Sequence, residues 1–264
     1  MPSRRNQLKT SVREIDVDGL HFKIRAAGTA LDGSTFVLIH GIGMSHRYFA
    51  RLQAALARHA RVLTIDLPGF GALARPPRSV SVSEMAEALG RVVDALRLTG
   101  VVLVGHSMGT QWVTELAVTR PNLPAGVVLI GPVTHARHRS TRAHLLMLGA
   151  DCLREPLEVN HIVFTDYWRC GPGWYFRQLP QMLSYRIEDR LGSVSAPVLL
   201  VRGGQDSIAT LAWIRFLLTQ ASSGELLVVA GHGHVVQHTA APVLDRALRD
   251  FASRIRDSAS TGRL

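Results

Sequence analysis

Ser107, Asp206 and His234 are far apart in the chain, yet their types could combine into one reaction. A serine hydroxyl is a poor nucleophile near neutral pH. It becomes an effective one when an imidazole takes its proton, and the imidazole works best when a carboxylate holds its tautomer and supports the imidazolium. Ser107 stands in Gly105-His106-Ser107-Met108-Gly109, directly after Val101-Val102-Leu103-Val104. The four apolar residues read as a strand buried on both faces, and Met108, Trp112 and Leu116 recur at helical spacing. A strand that becomes a helix within two residues forces its turn residue into a strained backbone and needs neighbours almost free of side chain. A Gly-x-Ser-x-Gly match is weak by itself; the strand before it and the helix after it give it weight.

The other two residues need the same placement, and the sequence provides it. Asp206 follows the apolar run Val198–Val201 through Gly203-Gly204, and His234 follows Leu226–Val229 in Gly231-His232-Gly233-His234. Phe36–Ile39 is a further buried strand that runs into His40-Gly41-Ile42-Gly43, a loop with backbone N–H groups to spare. Between these come an Asp18-Gly19 hairpin joining Val12–Val17 to His21–Ala26, and a helix over Tyr48–His59. Val62–Ile65 is a strand closed by Asp66-Leu67-Pro68-Gly69-Phe70-Gly71, and a helix begins at Ser83 with Glu84 and Glu87, its apolar face continuing through Leu89, Val92, Val93 and Leu96 to Gly100. Gly126–Ile130 is another strand, Leu211–Gln220 a helix, and Pro242–Ile255 the last helix.

Strand and helix alternate except from Val133 to Ala196, where helical stretches over His144–Leu153, Leu157–Phe164 and Gln178–Ile187 are separated by Pro156, Gly171-Pro172-Gly173 and Pro180. An insertion of that length is too long for an ordinary loop and reads as a helical cap. The expected fold is therefore α/β: a mostly parallel twisted sheet with helices on both faces, a core over 1–132 and 197–264, and a cap over 133–196. Right-handed crossovers would gather the parallel strand ends, and the three residues, at one edge.

Composition narrows the function. The chain has 264 residues, 47% of them hydrophobic, enough for a substantial core without metals or disulfides. Its two cysteines, Cys152 and Cys170, have no metal-ligand or redox-pair spacing and read as ordinary thiols. A formal charge of +10 raises nucleic acid as a partner, but the basic residues are nearly all arginine and are spread along the chain without interleaved aromatics. The expectation is a small-molecule substrate with no nucleic acid, no cofactor, no metal, no membrane span and a cytoplasmic address; a homodimer is compatible with the sequence.

His40-Gly41, Asp66-x-Pro68-Gly69-x-Gly71, Gly105-x-Ser107-x-Gly109, Gly203-x-x-Asp206 and Gly233-His234, with the chain order Ser, Asp, His, resemble the α/β-hydrolase superfamily outside the cap. The resemblance implies Ser107 as nucleophile, His234 as general base, Asp206 as its partner, and the N–H groups of Ile42 and Met108 as the oxyanion hole. Where the family often carries Asp-x-x-Gly-x-Gly-x-Ser, this chain reads Ala-Leu-Ala at 72–74. A serine nucleophile sets it apart from the epoxide hydrolase and haloalkane dehalogenase branches. The Gly-Gly-Gly-x motif of many lipases and the extended glycine-rich segment of the ring-fission C–C hydrolases are absent.

His40 and His106 read as framework residues, His232 competes with His234 for the base role, and His238 reads as a supporting or helix-start residue. Asp66 reads first as a turn former. Trp168, Trp174, Tyr175 and Phe176 either line a pocket or join cap to core. Arg137, Arg139 and Arg142, with His135, His138 and His144, form a stretch without acidic residues that could steer an anionic substrate or form a solvated face. The function that follows is hydrolysis of an ester, thioester or lactone through an acyl-enzyme. A C–C hydrolase or lyase with the same triad, and a slow-turnover small-molecule receptor, remain open alternatives.

Overall fold

In the computed structural model, residues 10–133, 139–142, 146–147, 149 and 156–261 are described. Eight strands form one sheet: β1 (Thr10–Val17), β2 (Leu20–Ala27), β3 (Thr35–Ile39), β4 (Arg61–Asp66), β5 (Val101–His106), β6 (Pro124–Ile130), β7 (Val198–Gly203) and β8 (Gly224–Val229). Their order is β1-β2-β4-β3-β5-β6-β7-β8. Every pairing from β4 to β8 is parallel, whereas β1 and β2 add an antiparallel edge. The hairpin between β1 and β2 turns through Asp18 (φ 52°) and Gly19 (φ 77°), both left-handed, as a two-residue turn matched to strand twist requires.

β3, β5 and β6 lie in the middle and are almost wholly buried, which explains their unbroken apolar sequences. Helices α1 (Ala50–Leu56), α2 (Val82–Ala95) and α3 (Gly109–Thr119) follow β3, β4 and β5. One core layer sets α2 and α3 against one face of the sheet through Met85, Leu89, Val93, Trp112 and Leu116. The other sets α1 and the last helix against the opposite face through Leu52, Leu56, Leu244, Leu248 and Phe251.

Between β6 and β7, α4 (Leu157–Cys170) and α5 (Pro172–Ser184) form the helical insertion. Three features differ from the sequence reading. The Leu157 helix does not end at Phe164 but continues to Cys170, where Gly171 (φ 78°) stops it and Pro172 opens the next helix. Pro180 is no breaker: it lies inside α5 on an exposed face. α2 likewise starts one turn-position earlier than Ser83. Ser81 is its cap, accepting from Glu84 N at 3.2 Å while Glu84 Oε2 accepts from Ser81 N at 2.8 Å. Helices α6 (Leu211–Gln220) and α7 (Ala241–Ser260) complete the chain. The expected helix over His144–Leu153 falls largely outside the described residues, as does Cys152. Among the described residues no helix is long and apolar enough to cross a membrane.

Candidate active site

β5 ends in the turn that presents Ser107, whose φ of 54° is one of three positive values among the described non-glycine residues. The turn is held by Ser107 N donating to Ile130 O at 2.9 Å, and by Thr110 N donating to Ser107 O at 3.0 Å. Glycine at 109 lets α3 reach the sheet: a Cβ there would stand 2.3 Å from Ile39 O. The β3 loop also arrives closely, since a Cβ on Gly41 would stand 2.9 Å from Ser107 Cβ and 3.3 Å from its Oγ. Among the described residues, neither the Ile42 nor the Met108 N–H has an acceptor, so both remain available beside the serine turn.

The loops after β7 and β8 bring Asp206 and His234 together. Asp206 Oδ2 accepts from His234 Nδ1 at 2.9 Å, and Asp206 Oδ1 accepts from Ile208 N and Ala209 N, both at 2.8 Å. Burial acts to raise the Asp206 pKa, but the His234 charge, its hydrogen bond and the two amide bonds outweigh it, and the carboxyl titrates below its ordinary range. Both side chains are buried. Gly131, at the end of β6, makes room for them: a Cβ there would fall 2.9 Å from His234 Nδ1.

His232 is placed differently. Its Nδ1 lies 2.9 Å from Thr239 Oγ1, while its carbonyl accepts from Gln205 N. His106, fully buried, donates from Nε2 to the His234 carbonyl at 3.1 Å, and its ring packs 4.7 Å from that of His234. His40 donates from Nδ1 to Gly41 O at 2.8 Å and accepts from Leu67 N at 3.2 Å. Burial lowers the pKa of both rings, well below the ordinary value for His106, so they stand as neutral struts. His238 is buried in the short helix Val236–Thr239, its Nε2 3.8 Å from Glu158.

Asp66 does more than turn the chain. It accepts from Arg25, from His46 N at 2.6 Å and from His46 Nδ1 at 3.0 Å. Burial acts against ionisation there, but His46 and His40 prevail and bring its pKa down to about 2. The insertion aromatics divide by position: Trp174 and Tyr175 are buried against the core, whereas Trp168 and Phe176 are exposed. Arg139 pairs with Glu188, Arg142 is exposed, and Arg137 with His135, His138 and His144 lies outside the described residues.

One functional neighbour escaped the sequence reading. Arg202, buried at the end of β7, donates to the carbonyls of Ala209 and Asp206, both at 2.8 Å, and of Gly204 at 3.3 Å, so it clamps the loop that carries Asp206. The only signal was an arginine in Val198-Leu199-Leu200-Val201-Arg202, a position that should be apolar.

A family model for the α/β hydrolase fold matches residues 34–153. A curated relative from Caulobacter vibrioides, "Putative carbamate hydrolase RutD", is 35% identical over 264 aligned positions, spanning 89% of this chain and 96% of its own. The (E)-2-((N-methylformamido)methylene)succinate hydrolase of Acinetobacter baylyi is 26% identical, spanning 83% of this chain and 90% of its own. Among solved structures, a thermophilic esterase from Thermogutta terrifontis superposes with a TM-score of 0.78 at 20% identity, covering 94% of this chain and 99% of its own.

Proposed function

Since the chain belongs to the α/β-hydrolase family and is an enzyme, we propose that it is a serine hydrolase whose α4–α5 insertion acts as a cap over the site. The observation that carries this reading is the 2.9 Å contact of Asp206 Oδ2 with His234 Nδ1, buried at the sheet edge where Ser107 turns out of β5. Ser107 Oγ attacks the substrate carbonyl while its proton passes to His234 Nε2, the nitrogen that Asp206 does not engage. The Ile42 and Met108 N–H groups receive the developing oxyanion. Collapse breaks the bond to the leaving group, which takes the proton from His234. Water, deprotonated by the same imidazole, then releases the acyl group and regenerates Ser107.

The bond class is an ester, thioester or lactone, and the carbamate named for the Caulobacter relative belongs in the same test because its carbonyl undergoes the same attack. The test is labelling with a fluorophosphonate, followed by turnover of a short ester, thioester, lactone and carbamate panel. Ser107 should carry the label, and Ser107→Ala should lose on the order of a million-fold in rate. A variant that keeps more than a few per cent of activity overturns the assignment. A stoichiometric burst followed by slow turnover would instead indicate a receptor, and inertness to every acyl substrate a lyase.

A further inference from the structure

Among the described residues of the insertion, Asp166 on α4 is the most deeply buried acid, and nothing in the triad chemistry uses it. Both of its oxygens are taken by one segment of the core, the stretch that continues the His40–Gly43 loop. Ser45 Oγ donates to Asp166 Oδ2 at 2.6 Å, and Arg47 Nη1 donates to Asp166 Oδ1 at 2.9 Å. Arg47 Nη1 also reaches Thr165 Oγ1, one residue earlier on α4, at 2.9 Å. On the other side of Asp166, the Tyr167 ring fills the space beside Gly43 so closely that a Cβ there would lie 2.0 Å from its edge. Three successive residues of α4 thus grip one loop.

That loop carries the Ile42 N–H. Its inner end is fixed by Gly41 against Ser107, its tight turn by Met44 N donating to Gly41 O at 3.3 Å, and its outer end by Ser45 and Arg47. The Ile42 peptide hangs between these anchors, with no hydrogen bond of its own among the described residues. Its orientation therefore depends on where the outer end sits, and that end has two carboxylate anchors: Asp66 of β4 holds His46, while Asp166 of the insertion holds Ser45 and Arg47 on either side of it.

We infer that Asp166 is a positioning residue that makes the oxyanion hole conditional on a docked cap: with α4 seated, Ser45 and Arg47 hold the loop so that the Ile42 N–H faces the site, and with α4 displaced that donor is lost. Because a donor aimed at the transition state contributes to the chemical step rather than to ground-state binding, the loss falls on kcat. Coupling of this kind favours substrates that keep the cap seated. The inference rests on the serine-hydrolase reading given above.

The experiment compares wild type with Asp166→Ala, Asp166→Asn and Ser45→Ala, using a chromogenic acyl ester, inhibition by an alkyl boronic acid, fluorophosphonate labelling and thermal melts. A boronic acid becomes a tetrahedral anion on Ser107 and so reports the oxyanion hole directly. Asp166→Ala should lower kcat by about a hundredfold, the scale of one lost oxyanion donor, with KM changed less than about threefold. It should weaken the boronic acid by a similar factor. Asp166→Asn, which keeps one acceptor and the shape, should recover part of the loss. Ser45→Ala leaves the Arg47 pair in place and should lose roughly tenfold; combined with Asp166→Ala it should add little further, since the Ser45–Asp166 bond is already absent there. A folded Asp166→Ala protein with wild-type kcat and boronic acid affinity overturns the inference. So does a Ser45→Ala protein that melts as wild type does and keeps full kcat, should Asp166→Ala fail to fold. If wild type itself is not labelled at Ser107, the hydrolase reading falls and this inference falls with it.

Discussion

Asp206→Asn keeps the size of the side chain and changes only what its two terminal atoms offer. Oδ1 is the acceptor of two backbone amides, from Ile208 and Ala209, each at 2.8 Å, while Oδ2 faces His234 Nδ1 at 2.9 Å. The new amide can present its oxygen to only one side. Turning its NH2 toward the backbone would leave two buried N–H donors unsatisfied, at about 1–3 kcal/mol each. Turning it toward His234 opposes only one donor, and the imidazole escapes that conflict by moving its proton to Nε2. The second arrangement wins. The loop stays in place, because Arg202 holds it through backbone carbonyls and not through the carboxylate. A His234 protonated on Nε2, however, has no lone pair for the Ser107 proton. The expected loss is about 10³–10⁴ in kcat/KM, or about 4–5.5 kcal/mol of barrier at ~1.36 kcal/mol per decade. Steady-state hydrolysis of a chromogenic acyl ester measures it, and a thermal melt checks the fold. Activity within about tenfold of wild type would refute the tautomer argument, and so would a melting temperature that collapses in step with activity.

His234→Ala should approach Ser107→Ala in rate, while His232→Ala, which loses only the contact with Thr239, should keep most of the activity; the opposite ranking in the same assay would move the base. Gly109→Ala places a methyl group 2.3 Å from Ile39 O, so α3 must withdraw from β3: about 1–3 kcal/mol of stability should go by denaturant melt, together with about a hundredfold in kcat as Met108 N–H shifts. Asp66 is lowered from 3.8 to about 2, so its contribution is present above the unfolded value and is lost as the pH falls through about 2. Asp66→Asn should therefore be less stable by about 2 kcal/mol at pH 7, and the gap in urea melts should close as the pH is lowered toward 2; a gap independent of pH would contradict it.

What the sequence discloses depends on the range of the forces involved. Val101–Val104, Phe36–Ile39 and Val198–Val201 declare themselves as interior strands because burial on both faces leaves no polar position, whereas the order that sets β4 between β2 and β3 is not written in any local signal. The places of Ser107, Asp206 and His234 at strand ends follow from the same alternation. Where two local signals compete, the tertiary structure decides. Ser81 and Ser83 are both plausible caps two residues apart; Ser81 caps because its reciprocal bonds with Glu84 can form, while Ser83 lies 3.5 Å from Glu115 on α3. Trp174 and Trp168 are alike in sequence, yet one packs 6.2 Å from Phe70 and the other faces solvent, a difference that only the tertiary packing makes. Arg202 was not legible as a clamp on the Asp206 loop because its acceptors are backbone carbonyls, groups that every sequence contains, and Asp166 meets Ser45 and Arg47 only across 121 and 119 positions of chain.

The bond from His106 to the carbonyl of His234 joins residues 128 positions apart. That separation bears on the order in which the molecule matures. Contacts so distant along the chain form late, because a long loop must close before they contribute. β3, β4, β5 and β6 can assemble the serine turn from the first half of the polypeptide, but the His234 imidazole and the Asp206 carboxylate arrive only when β7 pairs with β6 and β8 with β7. A chain still leaving the ribosome would thus hold a shaped but inert hydroxyl. On the triad reading proposed above, reactivity comes with the last strand, and α7, which follows it, then closes the second core layer.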